Sequence, residues 1–109
     1  MADGPLYLGV DVSTTGVKAL LVDAHGRVVA SASQPHPSSA PQPLWSEQAP
    51  QDWITGAVGA IRGALSAADV TGEGVAAIGL TGQMHGMVAL DADGAVVRPA
   101  ILWNDQRTA

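Results

Sequence analysis

A run of small polar residues near the start of the chain has the residue types of a phosphate-and-metal site. The apolar segment 6–10 leads directly into the carboxylate of Asp11, and residues 13–16, Ser-Thr-Thr-Gly, follow. Small residues in such a turn leave backbone N–H groups free to face an anion, and their hydroxyls add donors. A carboxylate at the end of a strand can hold Mg²⁺ directly or through water. With Lys18, the only lysine in the chain, these residues predict the phosphate and metal corner of an ATP site.

An ordinary β-hairpin with a polar turn accounts for the same residues, because Ser, Thr and Gly fill turns routinely. The segment is not a Walker A loop, since it lacks the G-x-x-x-x-G-K-[ST] pattern, and G-x-G-x-x-G is absent from the chain. A nucleophilic triad is also excluded, because the chain has neither cysteine nor a G-x-S-x-G motif. The turn therefore needs support from other parts of the sequence.

Residues 82–86, Gly-Gln-Met-His-Gly, form a second polar cluster directly after the apolar segment 75–81. Ligands of α/β proteins bind outside the ends of strands, where polar groups can converge on a small molecule. The two glycines give the backbone at His85 freedom to approach such a ligand. A solvated loop histidine is the alternative, and the position directly after a strand leaves the two interpretations balanced.

Residues 104–107, Asn-Asp-Gln-Arg, form a third polar cluster after the apolar segment 100–103. Its position again favours a role at a strand end. Taken alone, however, the spacing of Asp105 and Arg107 favours a surface ion pair over a ligand contact.

Strands and one helix are predicted to position these clusters. Alternating or continuous apolar residues predict three strands joined as an antiparallel meander, followed by a proline-rich loop, a helix and further short strands. The predicted ranges are strands 6–12, 17–22 and 27–33, loop 34–50, helix 50–68, strand 75–81, a hairpin around the turn 91–94, and strand 100–103.

The predicted helix begins at Pro50, because proline suits the first turn, and ends near Ala68. A one-sided apolar stripe supports it, formed by Ile54, Val58, Ile61 and Leu65. Three glycines within the same segment each lower helix propensity by about 1 kcal/mol relative to alanine, and they can serve close packing on a sheet.

Length and composition bound the class of protein. The 109 residues suit one domain with a core, and the hydrophobic fraction of 47% is that of a globular protein. The net charge of −5, with five Lys and Arg residues in all, argues against a nucleic-acid surface. The absence of cysteine excludes disulfides and thiolate metal sites. Neither a membrane-spanning stretch nor a signal-peptide pattern is apparent, so we expect a soluble cytoplasmic protein.

Four motifs of the chain resemble, in order and spacing, the start of bacterial xylulokinases, within the FGGY family of carbohydrate kinases. The first motif alone is typical of the wider actin-like ATPases, whereas the last two are more specific and indicate xylulose rather than glycerol as the substrate. The likeness runs from about Leu6 to Ala109. The motifs are residues 9–18 (Gly-Val-Asp-Val-Ser-Thr-Thr-Gly-Val-Lys), 43–48 (Pro-Leu-Trp-Ser-Glu-Gln), 82–86 and 98–105 (Arg-Pro-Ala-Ile-Leu-Trp-Asn-Asp).

The resemblance implies an α/β fold like that of ribonuclease H and actin-like ATPases, with a mixed sheet in β-β-β-α-β order. Residues 1–109 would then be the N-terminal part of the first of two domains, with the remainder and the second domain outside this chain. The implied reaction transfers the γ-phosphoryl group of ATP, with Mg²⁺, to the 5-hydroxyl of D-xylulose. ATP and D-xylulose are the implied partners, without nucleic acid or membrane, and a homodimer of the full-length protein is left open.

The resemblance also assigns roles residue by residue. Asp11 matches the acid needed for activity on the Mg-ATP side and is the one metal ligand expected. The cofactor-binding positions are Ser13, Thr14, Thr15, Gly16 and Lys18, and the sugar-binding positions are Gln83, Met84, His85 and Asp105. Position 13 is often glycine in the family, so its serine keeps the turn but changes the approach to phosphate. No residue matches the general-base aspartate, which lies further along the chain in such kinases.

Three hypotheses follow from the sequence. The first is the N-terminal part of a xylulokinase, and the second is a non-catalytic fragment of the actin-like fold that binds sugar or nucleotide. The third is a kinase for another ketopentose, such as L-ribulose. Because phosphoryl transfer needs parts on both sides of a cleft, we expect the 109-residue chain alone to be inactive.

Overall fold

The computed structural model describes residues 4–108, which form a mixed four-stranded sheet with one long helix against one face. Two further short strands pair as a separate ribbon. The elements in chain order are β1 (Leu6–Val12), β2 (Gly16–Val22), β3 (Val28–Pro35), β4 (Glu47–Gln48), α1 (Pro50–Ala68), a 3₁₀ turn (Gly72–Gly74), β5 (Val75–Gly82) and β6 (Ala100–Ile101).

The strand order β3-β2-β1-β5 decides which loops meet. Strands β1, β2 and β3 pair antiparallel as two successive hairpins, whereas β1 and β5 pair in parallel. A parallel pair needs a crossover, which α1 supplies. Val12 at the end of β1 lies opposite Gly82 at the end of β5. The polar segments that follow these two strands therefore emerge side by side.

The core lies between the sheet and α1. Alternation along β1 turns Leu6, Leu8 and Val10 toward the helix, where they pack with Ala60 and Ala64. Strand β2 contributes Val17, Ala19 and Leu21 to the same core. The opposite face of the sheet carries the exposed side chains Tyr7, Asp11 and Lys18. The α/β class predicted from the sequence is confirmed.

Small residues form the fully buried face of α1, and only Ile61 and Leu65 of the predicted apolar stripe pack against the core. Ile54 and Val58 are 60% and 41% exposed, while Gly56, Ala60 and Ala64 are buried. A Cβ atom built on Gly56 would lie 3.0 Å from Val17 Cγ2. The helix thus lies closer to the sheet than larger side chains allow, which is the packing use of its glycines.

The other predicted strands and the helix begin and end within two residues of the bounds in the structure. Three predicted segments differ from the structure. The predicted strand 100–103 is shortened to Ala100–Ile101. The predicted hairpin around 91–94 retains one isolated bridge, between Leu90 and Val96. Strand β4 lies inside the predicted proline-rich loop and pairs antiparallel with β6. Within residues 4–108, no helix has both the length and the apolar character needed to cross a bilayer.

Candidate active site

An open depression of about 400 Å³ lies where β1 and β5 end. It is formed by residues at the ends of these two strands or directly after them, together with one residue that follows β6. Three of the predicted phosphate- and metal-side residues and three of the predicted sugar-side residues meet in it. Its lining residues are Asp11, Ser13, Thr14, Gly82, Gln83, Met84, His85 and Trp103.

The turn between β1 and β2 is closed by Ser13. Its backbone N–H and its hydroxyl both donate to the Gly16 carbonyl, each at 2.9 Å. Serine therefore supports the turn at the position where the resembling kinases often have glycine. A Cβ atom on Gly16 would lie 2.6 Å from the Gln34 carbonyl oxygen. The close approach of β3 thus requires glycine at position 16.

The two middle residues of the turn offer donors to a ligand. Within residues 4–108, the backbone N–H groups of Thr14 and Thr15 have no acceptor in the chain. The Thr15 carbonyl accepts from the His36 N–H at 3.1 Å, which holds the turn against the segment after β3. Adjacent backbone N–H groups in a fixed turn can bind an anion such as phosphate.

The predicted cofactor-binding residues divide between two depressions. Ser13 and Thr14 line the depression described above. Thr15, Gly16 and Lys18 line a neighbouring one of about 280 Å³, which Ser13 also borders. Lys18 is the direct partner of Asp11 in the register of β1 and β2, so its side chain lies on the same face of the sheet as that carboxylate.

Asp11 is the one carboxylate among the residues lining the first depression. No group of three or more His, Cys, Asp or Glu side chains able to hold a metal occurs in the described part of the chain. A single carboxylate beside hydroxyls suits Mg²⁺, which keeps several waters and takes one or two protein carboxylates together with phosphate oxygens. It does not suit a metal held entirely by side chains.

His85 adopts a left-handed backbone conformation, with φ of 63°. Such a conformation is uncommon for residues other than glycine and is found more often at functional sites. His85 and Met84 are both exposed at the depression. Their side chains are therefore accessible to a ligand there.

Gln83 lines the depression, but hydrogen bonds within the protein occupy both ends of its amide. Its Nε2 donates to Gln48 Oε1 at 3.0 Å, and its Oε1 accepts from Thr14 Oγ1 at 3.3 Å. The side chain thus joins the loop after β5 to the turn after β1.

Trp103 is a lining residue that the sequence reasoning did not select. The residue is 57% exposed, and its Nε1 donates to Thr14 Oγ1 at 3.2 Å. An exposed aromatic ring beside polar side chains presents an apolar face on which a sugar ring or chain can rest. Its place at the end of a predicted strand, next to a polar cluster, was the signal that could have identified it.

Asp105 does not line the depression. Its side chain is 2% exposed, and its carboxylate accepts from the Arg107 guanidinium and from the Ser46 backbone N–H at 2.7 Å. The hydrogen bonds from Arg107 hold the pKa of the Asp105 carboxyl well below its ordinary value, and burial opposes this only in part. The sequence favoured an ion pair at these positions; the structure has that pair, buried rather than on the surface.

The Asp105–Arg107 pair belongs to a larger cluster, of which Arg98 is the most exposed charged member. Glu47 accepts from Arg107 at 2.8 Å and also pairs with Arg98. The Arg107 guanidinium lies over the ring of Trp45, 3.8 Å from its centroid. The Trp45 ring therefore packs against this cluster. The cluster fixes β4 against β6 and the residues that follow it, which carry Trp103.

The fold and the depression define a class of protein. The chain belongs to the FGGY family of carbohydrate kinases, since the model of that family's N-terminal domain matches residues 6–109. The resemblance noted in the sequence is confirmed.

Particular relatives agree with this assignment. The xylulose kinase of Streptomyces coelicolor is 48% identical over 109 residues, which cover 99% of this chain and 21% of that protein. The xylulose kinase of Klebsiella pneumoniae is 47% identical over 104 residues, covering 95% and 21%. The crystal structure of xylulose kinase from Rhodospirillum rubrum matches with a TM-score of 0.87 and 35% identity, covering 94% and 21%. The chain therefore spans about a fifth of the length of these relatives.

Proposed function

We propose that this chain is the N-terminal part of a kinase that transfers the γ-phosphoryl group of ATP to D-xylulose, giving D-xylulose 5-phosphate. One observation carries the proposal: a single depression brings Asp11, Ser13 and Thr14, at the end of β1 and in the turn after it, together with the exposed pair Met84 and His85. A phosphoryl donor and a sugar acceptor need such adjacent sites. The identity of the relatives as xylulose kinases supports xylulose as the acceptor.

The turn after β1 is assigned to the nucleotide. The N–H groups of Thr14 and Thr15 donate to phosphate oxygens, and the Ser13 hydroxyl keeps the turn closed. Lys18 adds positive charge on the side of the neighbouring depression. Phosphoryl transfer depends mainly on such positioning and on stabilisation of charge.

Asp11 is assigned to the magnesium ion that accompanies ATP. A bound Mg²⁺ would supply positive charge against the negative charge that develops during transfer. Asp11, at the end of β1, would hold that ion directly or through water. Its exposed position leaves the carboxylate free for this role.

Met84, His85 and Trp103 are assigned to the sugar. The imidazole of His85 can exchange hydrogen bonds with hydroxyls, while Met84 and Trp103 offer apolar contact to the carbon chain. Gln83 and Asp105 act indirectly, because their polar atoms are bound to other parts of the protein. The general base that removes the hydroxyl proton lies outside residues 1–109 in this proposal.

We assign the fold to the ribonuclease-H-like, actin-like group, because two antiparallel hairpins are followed by a helix and a parallel strand beside β1. The cleft of such a kinase would be completed by a second domain. Use of ATP favours the cytoplasm as the place of reaction.

A hybrid kinase tests the proposal. Residues 1–109 replace the matching segment of the Streptomyces coelicolor xylulose kinase, and ADP release is measured with D-xylulose, with other ketopentoses and without sugar. We expect D-xylulose-dependent turnover in the range of roughly 1–10³ s⁻¹ that is usual for enzymes. A folded hybrid that is inactive while the parent enzyme is active would overturn the proposal, and preference for another ketopentose would overturn the substrate assignment.

A further inference from the structure

Gln48 is a buried amide that joins three separate parts of the protein. It lies in β4 with 2% of its surface exposed. Its Nε2 donates to the Thr14 carbonyl at 2.5 Å. Its Oε1 accepts from Trp53 Nε1 at 2.8 Å and from Gln83 Nε2 at 3.0 Å. One side chain therefore connects α1, the turn after β1 and the loop after β5.

The chemistry of the partners fixes the orientation of this amide. The indole N–H of Trp53 can only donate, and the carbonyl of Thr14 can only accept. Gln48 must therefore turn its oxygen to Trp53 and its nitrogen to Thr14. The amide of Gln83 then turns its nitrogen to Gln48 and its oxygen to the Thr14 hydroxyl, which in turn accepts from Trp103 Nε1. Donors and acceptors match along the whole network.

The bond to the Thr14 carbonyl has a consequence for the phosphate donors. The peptide between Thr14 and Thr15 is trans, so its C=O and N–H groups point in opposite directions. By holding the carbonyl on its own side, Gln48 directs the Thr15 N–H away from itself. That N–H is one of the two turn donors without an acceptor in residues 4–108.

We propose that Gln48 is a positioning residue that couples the two substrate sites. Its nitrogen fixes the Thr14–Thr15 peptide toward the nucleotide phosphates, and its oxygen fixes Gln83, next to the sugar-side residues Met84 and His85. This inference rests on the proposed function. It predicts that loss of the whole amide weakens the use of both substrates, while loss of the nitrogen alone acts mainly on ATP.

The test uses the hybrid kinase with three variants. Gln48→Met removes all three hydrogen bonds at similar volume, and Gln48→Glu keeps the acceptor for Trp53 and Gln83 but removes the donor to Thr14. Gln51→Met is the matched control, because Gln51 is exposed on α1. We expect Gln48→Met to lower kcat/KM by roughly 10- to 100-fold, as misplacement of site groups does, with the KM values for ATP and D-xylulose both raised. Gln48→Glu should raise the KM for ATP more than that for D-xylulose.

The outcomes separate positioning from a purely structural role. A structural role reduces the amount of folded enzyme, so kcat falls while both KM values stay at those of the hybrid and Gln51→Met. That result, or a rise in only one KM for Gln48→Met, overturns the inference. If Gln48→Met does not fold, the KM pattern of Gln48→Glu decides, and equal rises for the two substrates count against the inference. The activity of the hybrid itself is measured before any variant is made. If the hybrid is inactive, the proposed function fails, and this outcome is distinct from failure of the inference about Gln48.

Discussion

Asp11 and Lys18 are direct partners across the first hairpin, so a negative and a positive side chain stand next to each other on the exposed face of the sheet. Both positions border the depressions formed around the turn that joins β1 to β2. The hairpin register thus presents both charges next to the proposed phosphate site, where each can act on a different part of Mg-ATP.

Asp11→Asn is expected to abolish most kinase activity of the hybrid while leaving its fold intact. Losing the carboxylate that orients Mg²⁺ removes several kcal/mol of transition-state stabilisation, which corresponds to a fall in kcat of roughly 100-fold or more. Steady-state rates at saturating Mg-ATP measure this. The control is Asp93→Asn, at an exposed turn; an Asp11→Asn enzyme as fast as this control would remove Asp11 from the site.

His85→Ala is expected to impair the use of D-xylulose far more than the use of ATP. A site that hydrogen-bonds a hydroxyl group discriminates strongly once its partner is lost. The measurement is the KM for each substrate. The control is His25→Ala, at the exposed turn after β2. If the KM for ATP rises instead, the loop after β5 serves the nucleotide.

Gly16→Ala is expected to destabilise the fold by about 1–3 kcal/mol, the usual cost of overpacking. The new Cβ atom would press on the Gln34 backbone, so either β3 or the turn has to move. Urea denaturation of the hybrid measures the change in unfolding free energy. Gly72→Ala serves as the control because a Cβ there meets nothing within 4 Å; equal stability of the two variants would contradict the packing argument.

The Asp105 carboxylate is expected to make stability depend on acid pH. Because Arg107 lowers the pKa of Asp105 in the folded protein, its stabilising contribution is fully present above the ordinary aspartate range, near pH 4. It is lost as the pH falls below that range toward the folded-state pKa. Thermal unfolding from pH 7 to pH 3 should show Asp105→Asn less stable than the hybrid at neutral pH, with the gap narrowing below about pH 4. A constant gap would mean that the ion pair does not contribute.

The 109-residue chain alone is expected to show no xylulose-dependent ATP turnover. In the proposed function it lacks the general base and the domain that closes over the cleft. The test measures ADP release with and without D-xylulose on a sample free of host kinases. The active hybrid is the positive control. Turnover at the rate of the hybrid would mean that the full chemistry lies within these residues.

The sequence predicted the main elements well because their signals are local. Alternation along β1 and the proline at the start of α1 need no knowledge of distant residues. The buried face of the helix was predicted less well, because the apolar stripe of Ile54 and Val58 competes with a face of glycine and alanine. Which face packs is decided by how closely the sheet approaches, and that is a tertiary property.

The candidate site was predictable at its strand ends but not in its connections. Asp11 lies at the end of β1 and His85 follows β5, so their positions could be inferred. Gln48 could not, because it lies in a proline-rich segment, and its importance depends on partners 34 and 35 residues away. Asp105 is a case in which position after a strand was misleading. It was predicted to contact the sugar, but its side chain is buried in an ion pair.

The parallel pairing of β1 with β5 also bears on how the protein folds. The two hairpins of β1, β2 and β3 connect neighbouring segments, whereas Leu6 of β1 must find Val75 of β5. Contacts between distant segments form more slowly than local ones, because a long loop has to close first. During synthesis the turn after β1 can therefore form early, while the loop carrying His85 joins it only after α1 has crossed the sheet. The proposed nucleotide side of the site would thus take shape before its sugar side.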